Sequence, residues 1–377
     1  MALDTGAVVT RLPVLAAASL ALALASAAWL APDGHCDTPA AMPHPAPQSA
    51  RDANAENSRC ETCHAEIAGE WRASMHARAD TDPVYRRALA LEPLAFCRAC
   101  HAPEADPGAD APAILSALGV ACVTCHVTAA GQNAPTLAGT AGGGVAAPHA
   151  VLRAQGFATA AACASCHEFD FPTHAPGQRP DRMQSTVSEH ATSAYADASC
   201  ASCHMPLTVS AAASGGRKHR SHLFAASHDA AQLSAAVTVG ARRTSALGIT
   251  LTLAPGQVGH AFPTGDLFRR LVVTAEAVGD DWIVLGEASR ALHRRFELRE
   301  IAPGQTGRHV VGDDRVGVGR PQPLTFDLGE VARGRAIAWR VDYQRVEHPV
   351  GTDDSRAVVA ASIVVAEGLV PATVSGP

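Results

Sequence analysis

The chain has 377 residues, a net charge of −6, 18 histidines, 11 cysteines and only 4% aromatic residues. The mild acidity and the lack of any basic run argue against nucleic acid as a partner. An Ala-rich chain with a single lysine, Lys218, and so few large side chains is undersupplied for an ordinary core of this length.

In chain order, residues 1–31 carry Arg11 and then an uncharged apolar run from Leu12 to Leu30. This reads as an export signal, with Ala25-Ser26-Ala27 as a small-x-small cleavage site. The same run is long enough to stay uncleaved as an N-terminal membrane anchor. Either reading places the remainder in the periplasm or otherwise outside the cytoplasm. Cys36 is the odd cysteine, and Asp33, Gly34 and His35 before it do not suit a lipid-attachment site. Residues 32–58, rich in Pro and Ala, read as a flexible linker.

From residue 60 the pattern Cys-x-x-Cys-His occurs five times, at Cys60/Cys63/His64, Cys97/Cys100/His101, Cys122/Cys125/His126, Cys163/Cys166/His167 and Cys200/Cys203/His204. Given this chain's Cys and His content, even one such pentapeptide arises by chance on the order of once in a hundred sequences. Paired cysteines also serve zinc, but a zinc knuckle has no need of a histidine after every second cysteine. Two thiols that form thioethers to one porphyrin, with the adjacent imidazole beneath its iron, explain all five residues of the pattern. Five c-type haems are therefore expected, and these large flat apolar bodies relieve the shortage of large side chains.

Short helices are expected to deliver the motifs: Ile67 to Arg78 with Trp71 and Met75 on one face, Pro83 to Leu91, and Ala113 to Leu118 stopped by Gly119. A longer helix is expected from Asp181 to Tyr195. Five irons each want a sixth ligand, and the remaining histidines supply candidates. These are His76 after the first motif, His149 at the end of a Gly/Ala-rich loop, and His219 and His222 after the fifth motif. His190 and His228 are weaker candidates. The segment Glu70-Trp-x-x-Ser74-x-His76-Ala77 echoes Glu189-His-x-x-Ser193-x-Tyr195-Ala196, although a composition rich in small residues accounts for such an echo equally well.

From residue 232 to 372 the texture changes to β-branched runs of period two, among them Gly248–Leu253, Leu271–Val278, Trp282–Leu285, Ala336–Tyr343 and Val358–Val365. About seven strands without a helix suggest an antiparallel β-sandwich domain. The expected fold class is α+β: a mostly helical and irregular multihaem domain over residues 59–231, then the β-domain. The loop Val258-Gly-His260-Ala-Phe-Pro-Thr-Gly-Asp266 joins two strands, and His260 is expected to reach an iron of the first domain.

The motif order, the Trp-x-x-Ser-x-His after the first motif, the Cys-His-Met-Pro at the last and the His-x-x-His beyond resemble exported multihaem c-type cytochromes. In particular they resemble relatives of the tetrahaem electron carrier that serves hydroxylamine oxidation. The Gly-His-x-Phe-Pro-Thr-Gly loop resembles the β-domain trailing some larger members. The resemblance implies closely spaced, mostly bis-His haems passing electrons to and from redox partner proteins such as other cytochromes, a membrane quinol oxidase or a terminal reductase. A reductase or oxidase of a small nitrogen or sulfur species at one open haem is the alternative. Pentahaem nitrite reductases carry Lys in place of one motif His, whereas every motif here ends in His.

Overall fold

A computed structural model describes residues 42–43, 52–128, 135–139, 147–211, 216–319, 321, 323–348 and 354–372. The expected signal or anchor, Cys36 and most of the linker lie outside the described residues. Residues 41–377 form one compact unit. No helix among the described residues is long and apolar enough to cross a membrane.

The linker expectation ends too late. Helix α1 (Ala53–Cys63) begins inside it, because Asp52 caps it by accepting a hydrogen bond from Ala55 N at 3.0 Å. Asn57 on this helix is fully buried. Helices α2 (Ala65–Ala73), α3 (Pro83–Leu91), α4 (Ala95–His101), α5 (Ala113–Ser116) and α6 (Cys122–His126) follow. For α3, Asp82 is the capping residue and Pro83 opens the first turn, where its missing N–H costs nothing. Two three-residue parallel strands, β1 (Thr136–Ala138) and β2 (Val151–Arg153), precede α7 (Ala161–His167).

The helix expected over 181–195 is replaced by strand β4 (Arg182–Ser185), which pairs with β3 (Glu168–Asp170), and the short α8 (Thr186–Ala191). Glu168 is the reason for the break. Its Oε2 accepts from Val187 N at 3.0 Å and Ser188 N at 3.2 Å, which starts the helix there. Helix α9 (Cys200–His204) and the hairpin β5 (Leu207–Val209) with β6 (Lys218–Arg220) complete this part, and α10 (Ala230–Ala235) leads out of it.

Nine antiparallel strands follow. Strands β7 (Val237–Ser245), β8 (Gly248–Pro255) and β13 (Pro323–Asp327) make a three-stranded sheet in the order β13-β8-β7. Strands β9 (Arg269–Val278), β10 (Val284–Leu292), β14 (Ala336–His348) and β15 (Val358–Val370) make a four-stranded sheet in the order β10-β9-β14-β15. Alternate residues of both sheets, including Ile249, Leu251, Leu271, Val273, Ile337 and Val341, are completely buried in one core. The hairpin β11 (Arg294–Ala302) and β12 (Gln305–Asp313), absent from the sequence expectation, stands apart and packs Phe296 against Phe171 of the helical part.

Charged contacts fasten the two parts together. Arg308 donates to both oxygens of Glu92 at 2.7 Å, Arg345 pairs with Asp82, and Arg294 Nη1 donates to Met183 O at 2.8 Å. The helical part and the sheets are thus in fixed register, which matters because the β-part contributes to the site.

Candidate functional site

Each Cys-x-x-Cys-His motif lies on one turn of helix, with the helix ending at or directly beside the histidine. Spacing of three residues on a helix puts both thiols on one side. None of the ten motif cysteines is disulfide-bonded. No cluster of three or more His, Cys, Asp or Glu among the described residues is arranged to hold a bare metal ion.

Two of the ten expected haem-binding cysteines depart from the enclosure usual for a residue that holds a cofactor. Cys63 and Cys203, the second cysteines of the first and fifth motifs, are exposed, whereas the other eight are partly buried. For Cys203 the reason is local: α9 is a single turn with no buried residue, and the neighbour of the Sγ is the exposed Ser202 Oγ at 3.9 Å. Its backbone is nevertheless held, since Gln232 Nε2 donates to Cys203 O at 3.3 Å. A thioether requires the thiol to reach a porphyrin edge, not to be buried, so the exposure of Cys203 does not conflict with its pairing with Cys200 three residues earlier.

Four motif histidines face a second histidine. The ring centroids are 6.5 Å apart for His64 and His149, and 6.2 Å apart for each of His167 with His76, His126 with His222, and His204 with His260. Two imidazoles on opposite sides of one iron, each with a bond of about 2 Å and about 1.1 Å more from nitrogen to ring centre, have centroids about 6 Å apart. The four pairs have the spacing that two axial ligands of one haem iron require, so the residues present fit the group.

The remaining motif histidine, in the second motif, differs. His101 faces no second imidazole among the described residues; its ring stacks on Tyr85, with centroids 3.7 Å apart and planes within 4°. The Tyr85 hydroxyl is buried with no hydrogen-bond partner among the described residues.

Backbone carbonyls orient several of these rings. Nδ1 lies 2.6 Å from Ala79 O in His101, 2.7 Å from Leu137 O in His126, 2.8 Å from Ala225 O in His204, 2.8 Å from Arg220 O in His222 and 3.0 Å from Ala261 O in His260. A proton held on Nδ1 leaves the Nε2 lone pair free for a metal. Burial, reinforced by neighbouring imidazoles, holds the His76 pKa down to about 3 and His222 to about 4. Burial and the nearby Arg269 charge bring His167 to about 4, and burial also lowers His101, His126 and His260. All are therefore neutral at pH 7, the form that binds iron.

Three other candidates take no such place. His219 has both ring nitrogens engaged, Nδ1 with Ser210 Oγ at 3.2 Å and Nε2 with Glu70 at 3.2 Å. Exposed His228 contacts Arg345 Nη1 at 3.1 Å. His190 packs beneath the 258–266 loop, where a Cβ on Gly259 would lie 3.1 Å from its Cδ2. Tyr195, at the position equivalent to His76 in the echo, packs under the same glycine and is 41% exposed.

The motifs are in mutual contact. Cys100 lies close enough to Cys166 for their thiols to interact, and so does Cys163 to Cys200. Asn57 on α1 accepts from Cys122 N at 3.0 Å, which ties the first motif to the third. Sequence reasoning missed the roles of Glu70, Glu189 and Arg315, the polar groups around the rings. The echo of Glu70 at Glu189 was the one signal that pointed to any of them.

A family model described as cytochrome c554 and c-prime matches residues 59–142, the stretch with the first three motifs. No curated protein matches the chain. Among solved structures, the crystal structure of a penta-heme cytochrome c552 from Thermochromatium tepidum matches with a TM-score of 0.60 at 19% identity, covering 84% of this chain and 98% of that chain. At that identity the likeness is one of fold. Together with the motifs, these findings support a multihaem c-type cytochrome fold, covalently bound haem and electron transfer in general.

Proposed function

We propose that the chain binds five c-type haems and conducts electrons among them outside the cytoplasm. The observation that carries this is the set of four facing histidine pairs at 6.2–6.5 Å. When bound, each haem supplies a one-electron redox centre, and two axial imidazoles keep its iron from taking up other ligands. The chain's own contribution is to bury several of the rings, orient them by carbonyl contacts and keep the motifs in contact. Under this reading residues 59–231 form the haem-binding domain, and the later sheets form a β-sandwich that lends His260 to the fifth motif. Residues 1–31 act as a signal or anchor. Partners are other redox proteins, reached at the motif with the most exposed ligands, His64 and His149.

The arrangement at His101 favours a second reading, a reductase or oxidase of a small nitrogen or sulfur species. With no opposing imidazole among the described residues, an iron held by His101 would have a position to offer a small molecule. Both readings are tested on the haem-loaded full chain. Haem quantification should give five per chain, ferric EPR should show four low-spin centres to one high-spin, and the ferrous protein should bind one equivalent of carbon monoxide. Five low-spin centres that bind no carbon monoxide would remove the catalytic reading. Two or more open irons would refute the assignment of the pairs.

A further inference from the structure

The two glutamates of the sequence echo occupy equivalent places. Glu70 on α2 follows the first motif, and its Oε2 accepts from the backbone N of His222 at 2.8 Å. Glu189 on α8 follows the fourth motif, and its Oε2 accepts from Ala261 N, the residue after His260, at 3.2 Å and from Thr264 Oγ1 at 2.8 Å. Each carboxylate thus grips the main chain of a distant loop at or next to a histidine that faces a motif histidine. In neither case does it grip the loop facing its own motif: Glu70 holds the ligand opposite His126, and Glu189 the ligand opposite His204.

The Glu189 site is built in depth. Its Oε1 accepts from Ser185 Oγ at 2.7 Å and from Arg315 Nη2 at 2.6 Å, so both oxygens are saturated with donors. Arg315 is only 5% exposed and is itself held by both Asp313 oxygens, at 2.9 and 2.7 Å. Its Nη1 donates to Pro263 O at 3.1 Å, a second grip on the same loop. Thr186 and Thr264 hydroxyls meet at 2.9 Å, and Phe262 bridges to Val316 through hydrogen bonds of 2.7 and 3.0 Å. A buried ion pair of this kind contributes little net stability, because desolvation offsets its attraction, but it specifies one position of the groups it holds. The loop position it specifies is the one that sets His260 6.2 Å from His204.

We propose that Glu70 and Glu189 are positioning residues for the distal ligands His222 and His260, and that the Glu-x-x-x-Ser echo is a repeated device for clamping a ligand-bearing loop onto a neighbouring haem. The proposal rests on the reading that these two histidines ligate iron. Loss of an outer partner of a metal ligand typically weakens ligation about 10–100-fold. The two sites differ in a way that supplies a control. At Glu70 a glutamine keeps one oxygen for His222 N, whereas at Glu189 donors saturate both oxygens, so the amide NH2 of glutamine must face a donor on one side.

The test uses the haem-loaded full chain and two readouts, ferric EPR and carbon monoxide titration of the ferrous protein. Glu189→Gln and Glu70→Ala should each open one additional haem to carbon monoxide and lower the half-saturating concentration for that haem about 10–100-fold relative to wild type. Added imidazole should restore the low-spin signal, and a far-ultraviolet circular dichroism spectrum and urea midpoint matching wild type should show that the fold is kept. Glu70→Gln should behave as wild type. His260→Ala and His222→Ala serve as references. If neither opens a further haem, the ligation reading fails. If both do so while Glu189→Gln and Glu70→Ala match wild type, ligation stands and the clamp proposal is overturned. Glu189→Gln preserves side-chain volume, and the Glu70 pair carries the same test at a site away from the buried arginine.

Discussion

Replacing His260 by alanine tests the link between the sheets and the haem-binding part. The loop that bears it stays fixed without the imidazole, because Glu189, Arg315 and the Phe262–Val316 bridge hold its backbone, and Arg308–Glu92 and Arg345–Asp82 hold the sheets. The variant should therefore fold and load haem as wild type does, losing one axial ligand only. With four facing pairs and one unpaired motif histidine, wild type should give low-spin to high-spin haem in the ratio of four to one, and His260→Ala three to two. Carbon monoxide uptake should rise from one equivalent to two. The assay is ferric EPR with spin quantification, paired with optical titration of the reduced protein. An unchanged ratio in a fully loaded variant would refute the assignment of His260, and loss of haem from several motifs would refute the claim that the loop is held independently of its histidine.

Three further outcomes follow from the same geometry. His149 and His64 are both exposed, whereas His76 is held at a ring distance of 4.2 Å from Phe224 as well as opposite His167; exogenous imidazole should therefore restore the low-spin state readily in His149→Ala and poorly in His76→Ala. Burial alone would raise the Asp82 pKa, but its hydrogen bond and charge interaction with Arg345 prevail and hold it below the usual carboxylate range. That stabilisation is present at neutral pH and is lost as the pH falls below about 4 through the folded value. Asp82→Asn should lose about 1.5–3 kcal/mol at pH 7 and flatten the acid limb of the urea midpoint against pH; an unaltered acid limb would count against it. Gly119 has φ of +54°, and a Cβ there would lie 2.3 Å from His76 O, so Gly119→Ala should cost at least about 1–2 kcal/mol and disturb the spin state of the haem opposite His76. A silent Gly119→Ala in both denaturation and EPR would contradict that contact.

What could be read from the sequence was what is local. A haem motif is five adjacent residues, and α3 needs only Asp82, Pro83 and its own apolar face, so both were legible in place. The opposing histidines are set by tertiary packing. No local pattern distinguishes His222, which faces His126, from His219 three residues earlier, whose ring nitrogens are taken by Ser210 and Glu70. Nor does the motif say how deep its thiols lie: Cys100 and Cys203 hold the same place in identical patterns, yet the first is partly buried against Cys166 and the second is exposed. The helix expected over 181–195 failed for the same reason: pairing of Gln184 with Phe169 and the reach of Glu168 to Val187 N override the helical periodicity. The β11–β12 hairpin escaped notice because it is rich in Arg and Glu, and alternation marks a strand only where one face is apolar. The echo of Glu70 at Glu189 was visible, but its meaning lay in the two loops it grips, and those contacts span much of the chain.

The order of the motifs in the chain is not their order in space, and this bears on how the centres would communicate. The fourth motif meets the second through Cys166 and Cys100 and the fifth through Cys163 and Cys200. It meets the third through rings, since Phe224 lies 4.2 Å from His76 and 5.7 Å from His222, which face the fourth and third motif histidines. The first motif attaches to the third through Asn57. Under the five-haem reading the fourth centre is then a junction with three neighbours, and the first, second and fifth are ends of different character. One end has exposed histidines, one has no opposing imidazole among the described residues, and one faces His260 of the β-part. A linear wire needs two ends; the third end, at His101, is the one whose open position would let the molecule do more than carry electrons.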